Sequence, residues 1–439
     1  MLQISLFPAG SRVGTFHCKL ETCFCFLFAA ALFFSACHRE LRVPPGVVPG
    51  PGREGAPPVR VRLLERAEKV SLKAGEHGIL ISDAASGARI AALAAGQRME
   101  AVSFGPAMEL RLATPDGQVS QPHPQGIRVV GLGNPAAVEI EGWLYRGAVL
   151  IYSGVQGVMT VINSLPVEQY IRSVVPAEIG PLELNYLEAL KAQAVACRSY
   201  ALSMMERNRN FAFDLVADTG DQVYKGMASE TPEADRAVAE TTGECLTYQG
   251  RAVPAFYHST CGGRTAEPEE VWGLQFARDN PYLKSVKDGD RDQGSRWYSW
   301  KVAWTRQELL ESLRKTLPSV VSLTPDDIGE PQDIEVMEQG PSGRNVLLKV
   351  TTEKRVLQIT GDRIRRVLRQ PDGSMLPSTW FSLKVERKPG GATIIAQGRG
   401  FGHGLGMCQT GAKARAGHGD SYRSILNAYY RKVKIVRMY

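Results

Sequence analysis

Val174-Val175-Pro176-Ala177-Glu178-Ile179-Gly180 leads into Leu187-Glu188-Ala189-Leu190-Lys191-Ala192-Gln193-Ala194-Val195-Ala196-Cys197-Arg198-Ser199-Tyr200-Ala201-Leu202, and the pair decides how the chain folds. In the second segment Leu187, Leu190, Ala194, Cys197, Ala201 and Met205 recur at spacings of three and four, which predicts an amphipathic helix over roughly 182–207. The first segment reads as an apolar, proline-stiffened turn that ends where this helix begins. It presents one carboxylate, Glu178, among Val, Pro and Ile. Such surroundings disfavour the ionised form and suit a general acid/base. The competing reading is an exposed acid that complements the helix dipole.

Outward from this centre the pattern changes period. Residues 59–126 alternate in short runs such as Val59-Arg60-Val61-Arg62-Leu63 and Gly78-Ile79-Leu80-Ile81-Ser82, which predict strands and turns. Residues 142–147 and 158–163 continue as strands, and Pro166 opens a short helix before Glu178. Residues 221–243 read as a turn plus a second helix, with Asp221-Gln222-Val223-Tyr224 as a groove-lining segment. Further on, 304–317 predicts a helix, and 345–352 and 379–385 predict strands. The expected fold class is therefore α+β: a β-rich N-terminal portion, a helical catalytic segment, and a mixed C-terminal portion forming a substrate groove.

The N-terminus predicts export. Arg12 and Lys19 precede an apolar run over 23–35, too short for an ordinary spanning helix, and Phe34-Ser35-Ala36-Cys37 resembles a lipobox. Residues 1–37 are read as a signal with lipidation at Cys37, and the Pro/Gly-rich 38–58 as a tether from a bacterial membrane facing the cell wall. The expected division is then a β-rich module over 59–126 and a catalytic region over 127–439. With 439 residues, 44% hydrophobic, 22% charged and a net charge of +7, the chain has the composition of a folded protein with too small a basic excess for nucleic acid. Arg363, Arg365, Arg366 and Arg369 read as the solvated face of a short helix whose apolar stripe is Ile364, Val367 and Leu368.

Two later motifs complete the picture: Phe256-Tyr257-His258-Ser259-Thr260-Cys261-Gly262-Gly263 and Gly402-His403-Gly404-Leu405-Gly406-Met407-Cys408-Gln409-Thr410-Gly411-Ala412. Together with the VPAE segment and the ALKAQAVA helix they occur in an order that resembles the sporulation stage II protein D and amidase-enhancer family, from Ile127 to the C-terminus. The resemblance implies action on peptidoglycan glycan strands: lytic cleavage between N-acetylmuramic acid and N-acetylglucosamine, preferentially in peptide-stripped strands, with Glu178 as acid/base. It also implies substrate contacts at Lys191, Gln193, Arg198, Tyr200, His258, Ser259, His403 and Gln409. Glu183 and Glu188 are candidate second carboxylates. The alternative within the family is a non-catalytic glycan binder that stimulates a cell-wall amidase.

Of eight cysteines, Cys197, Cys245, Cys261 and Cys408 lie beyond the signal. In an oxidising compartment they allow up to two disulfides. Cys197 falls on the helix stripe and reads as a small buried thiol. The chemistry requires no cofactor. Some members of the resembled family hold structural zinc with Cys and His, which makes His258, Cys261, His403 and Cys408 the candidate set. The chain has no second tight ligand pair and no HExxH helix, and many members carry serine where Cys261 or Cys408 stands here.

Overall fold

A computed structural model describes residues 2–4, 55–104, 109–113, 126–153, 157–388 and 391–439. Residues 5–37 of the signal, Cys37 among them, and most of the tether lie outside these residues. Among those described, no helix is long and apolar enough to cross a membrane. The chain forms two compact bodies, one running to Pro254 and including Lys434–Tyr439, the other built on Ala255–Val433.

In the first body a seven-stranded sheet runs in the order 215–216, 58–67, 159–166, 148–153, 127–131, 79–83, 89–93. The compact unit thus takes strands from both sides of residue 126. Met159–Pro166 lies between Pro58–Ala67 and Ala148–Ser153, and its side chains are buried on both faces, as its Val-Ile-rich run dictates. Asn163 is fully buried in this strand, beside the buried hydroxyls Thr160 and Ser164. Its Nδ2 donates to the carbonyls of Arg146 and Ala148, and its Oδ1 accepts from the Tyr224 hydroxyl at 2.7 Å, so no buried polar atom of this side chain is left over. A five-stranded sheet in the order 143–146, 137–140, 69–74, 98–104, 109–113 completes the β portion.

The helical portion departs from expectation at its centre. The VPAE segment is not a turn: Val167–Ile179 is one helix that carries Pro176 inside it and ends at Gly180. Pro176 removes one i→i−4 hydrogen bond, and the burial of Tyr170, Ile171, Val174, Val175 and Ile179 outweighs that loss. The following helix spans Leu187–Arg207 and is preceded by a 3₁₀ turn at Leu184–Tyr186. It is buried almost all round, so its polar face does not meet solvent: Gln193, Arg198 and Ser199 are as inaccessible as Ala194 and Cys197. Pro232–Glu240 packs beside it, its first turn capped by the Thr231 hydroxyl.

The second body holds a three-stranded sheet in the order 300–305, 391–398, 381–388 and a meander of 331–339, 345–352 and 356–360, with Leu2–Ile4 on its edge. Helix Arg306–Val321 begins at a capping box, Thr305 with Glu308, leaving Trp304 in the preceding strand rather than in the helix. Leu309, Leu313 and Leu317 meet Trp304, Ile334, Leu348 and Ile394 in one apolar core. In the short helix Arg363–Val367 the apolar stripe is buried as expected, but Arg365 is buried too, donating to the Leu376 carbonyl and to Asp362.

Candidate functional site

Glu178 sits in the last turn of its helix and is half-buried. The amide of Val223 donates to its Oε1 at 2.6 Å. A main-chain donor favours a carboxylate, whereas partial burial and the negative end of a helix dipole favour the neutral acid. The two influences meet on one group, in contrast to the uniformly apolar setting that the sequence suggests. Val223 belongs to the expected groove-lining segment 221–224, so that reading and Glu178 converge in space.

Aromatic hydroxyls and a second acid surround this carboxyl. Tyr200 donates to Asp221 Oδ1 at 2.8 Å, and the Val216 amide donates to Asp221 Oδ2 at 2.8 Å. Tyr170 donates to Gln222 Oε1 at 3.2 Å. Burial, followed by the charge of Asp221, pushes both phenols well above their ordinary range, and Glu178 acts on both in the same sense. Burial also raises the Asp221 carboxyl, against the donations from Val216 and Tyr200. Asp221 is thus a nearby carboxylate of the kind sought at Glu183 and Glu188. Glu183 is exposed, and Glu188 is paired with Lys191 at 2.8 Å.

The other expected contacts in this body have protein partners. Arg198 is fully buried and makes a fork to Glu168, Nε to Oε1 at 2.9 Å and Nη2 to Oε2 at 2.7 Å, with Nη1 on the Glu244 carbonyl. Glu168 also receives the Gly243 amide and the Tyr439 hydroxyl. This is the arrangement of a structural ion pair, satisfied on both sides. Gln193 is buried and donates to Cys197 Sγ at 3.2 Å. Lys191 bridges Glu188 and Glu240 at the surface. Tyr200, buried against Asp221, lies within electrostatic reach of Glu178.

The remaining expected residues lie in the second body, where the two late motifs come together as a parallel pair, Tyr257 opposite Met407 and His258 opposite Cys408. Gly406 has φ +67°, and a Cβ there would overlap the Phe256 carbonyl, which explains the glycine. His258 is buried, with Nδ1 on the Leu405 carbonyl at 3.0 Å, and burial followed by His403 pulls it well below its ordinary range. His403 accepts from the Leu405 amide at 3.0 Å and packs among Phe256, Trp272 and His258; burial lowers it to about 4. Ser259 is half-buried, its carbonyl accepting from the Thr410 amide and hydroxyl, and Gln409 is buried at the start of the Gln409–Gly417 helix.

The four-residue Cys/His set does not gather around one point. Among the described residues, the ligand atoms that approach within 4.8 Å of one another belong to Cys261, Cys408 and Asp292, with neither histidine among them. The four described cysteines are buried free thiols. Burial raises the Cys245 thiol to about 12.

Comparison with known proteins agrees with the motif order. Residues 155–248 match the family model described as stage II sporulation protein, and residues 277–406 match a domain of unknown function (DUF8618). An uncharacterised protein of Brachyspira hyodysenteriae is 32% identical over 68% of this chain and 73% of its own length. Stage II sporulation protein D of Bacillus amyloliquefaciens is 32% identical over 62% of this chain and 75% of its own length. The amidase enhancer of Bacillus subtilis is 30% identical over 59% of this chain, which spans only 39% of that protein. The matched model over 155–248 and these relatives agree, and the chain belongs to the stage II sporulation protein D family.

Proposed function

We propose that the chain is an exported lytic transglycosylase of peptidoglycan, tethered to a membrane through Cys37, with Glu178 as its acid/base. The supporting observation is the setting of Glu178: a half-buried carboxyl at a helix C-terminus, held by the Val223 amide and flanked by Tyr170, Tyr200 and Asp221. Glu178 protonates the glycosidic oxygen that leaves C1 of N-acetylmuramic acid. The C6 hydroxyl of the same sugar then attacks C1, its proton passes to Glu178, and a 1,6-anhydro ring closes. Water is not consumed, so one carboxyl serves both steps. Hydrolysis would require a second carboxyl to act as base or nucleophile. Asp221 accepts hydrogen bonds from Tyr200 and Val216 and is read as a positioning group for Tyr200.

Mass spectrometry of products from peptide-free wall glycan tests this reading. Anhydro-muramyl ends from the wild type, absent with Glu178→Gln, support it. The second reading, a glycan binder that enhances an amidase partner, is favoured by the name of the Bacillus subtilis relative. It predicts no bond cleavage by the purified chain and unchanged stimulation of an amidase by Glu178→Gln.

A further inference from the structure

Three segments of the second body converge on a buried sulfur pair. Cys261 follows the strand Tyr257–His258, Cys408 ends the strand parallel to it, and Asp288 and Asp292 come from the loop 288–292. All four are essentially inaccessible to solvent. Ligand atoms of Cys261, Cys408 and Asp292 lie within 4.8 Å of one another.

Main-chain donors converge on the Cys408 sulfur, while both thiols face carboxylates that accept from them. The amides of Cys261 and Gly411 both donate to Cys408 Sγ at 3.3 Å, and Cys408 caps the nine-residue helix Gln409–Gly417, whose N-terminal dipole end faces the same sulfur. Asp292 Oδ2 accepts from the Gly262 amide at 2.6 Å and lies 3.9 Å from Cys408 Sγ, while its Oδ1 is buried without a hydrogen-bond partner. Asp288 Oδ2 lies 3.8 Å from Cys261 Sγ and is held by the Tyr429 hydroxyl at 2.7 Å; its Oδ1 faces Arg415 Nη2 at 3.6 Å. A Cβ at Gly411 would overlap Asp288, so that glycine admits the close approach.

A buried carboxylate oxygen without a donor is expensive unless a cation or donor completes it. A disulfide between the two cysteines would leave that oxygen as it is. A divalent cation satisfies it and also balances the charge. Arg344 is buried beside the cluster with Nη2 on the Cys261 carbonyl, and Arg415 Nη2 lies 3.6 Å from Asp288 Oδ1. Two thiolates, the carboxylates of Asp288 and Asp292, two guanidinium groups and one divalent cation sum to zero.

We propose that Cys261, Cys408 and Asp292 form a structural zinc site that ties the two glycine-rich motifs to the loop 288–292, with Asp288 beside it. The donor set of two thiolates and a carboxylate suits borderline-soft Zn²⁺ rather than calcium or magnesium, and full burial makes the site structural rather than catalytic. His258 and His403 are not ligands. The site is independent of the chemistry at Glu178.

Elemental analysis of the full chain, purified under reducing conditions without chelators, tests this assignment. About one zinc ion per chain is expected, falling to background in Asp292→Asn and Cys408→Ser and retained in His403→Asn. Because the first two variants can lose the fold along with the metal, the wild type is also stripped by a chelator and titrated with cobalt(II). A thiolate-to-cobalt charge-transfer band with saturating uptake is expected, together with recovery of the melting temperature lost on stripping. The proposal is overturned by a reduced chain that takes up neither zinc nor cobalt, by loss of zinc in His403→Asn, or by peptide mapping that finds Cys261 and Cys408 joined as a disulfide in the exported protein.

Discussion

The helix Val167–Ile179 carries a glutamate near each end, and the two are held in different ways. Glu168, in the first turn, is matched atom for atom: the Arg198 fork, the Gly243 amide and the Tyr439 hydroxyl all converge on it. Glu178, in the last turn, takes the Val223 amide at the unfavourable end of the dipole, among phenols and a second acid. The first arrangement joins three segments distant in sequence. The second places a carboxyl beside two buried phenols. Under the proposed function, one helix carries a structural carboxylate at one end and the acid/base at the other.

Breaking each end separately should give opposite signatures. Glu178→Gln is expected to lower glycan cleavage by about 10³-fold with the melting temperature little changed, because it keeps the volume and removes the transferable proton. Glu168→Gln is expected to leave the buried Arg198 charge uncompensated and cost about 3–5 kcal/mol of stability, read by denaturant unfolding, with activity per folded molecule retained. Equal loss of activity in both variants at full folding would erase the distinction between the two ends.

The second body sharpens the contrast through pH. His258 and His403 bind protons less well folded than unfolded, His403 at about 4 against an ordinary 6.5. Between those values the unfolded chain takes up more protons, so stability is full above about pH 6.5 and declines as pH falls toward 4. Thermal melts across that range should show this decline, reduced in His403→Asn. The smallest effect belongs to Lys191, whose surface bridges to Glu188 and Glu240 predict a shift in melting temperature of no more than about 2 °C for Lys191→Ala.

What the sequence discloses follows local periodicity. The Leu187–Arg207 helix, the Asn345–Thr352 strand and the β-rich start are legible because burial repeats along the segment itself. The VPAE segment misleads because Pro176 reads as a helix breaker, while packing of Tyr170, Val174 and Val175 overrides it. Arg198 misleads because its partner Glu168, thirty positions earlier, leaves no spacing signal. The sequence marks Asp221-Gln222-Val223-Tyr224 as groove-lining, but its meeting with Glu178 through the Val223 amide, 45 positions away, leaves no spacing signal. The grouping of Cys261 and Cys408 with Asp292 was not readable, although the acid-rich run Asp288-Gly289-Asp290-Arg291-Asp292 is the signal that could have raised it.

The central claim is that Glu178 moves one proton out and one proton back while the sugar closes on itself. Its most direct test is the mass of the muramyl end produced by the purified wild-type chain from peptide-free glycan. An end lighter by one water than a reducing sugar, lost in Glu178→Gln, is the predicted result. A reducing muramyl end, or the same products from the Glu178→Gln variant, would contradict it.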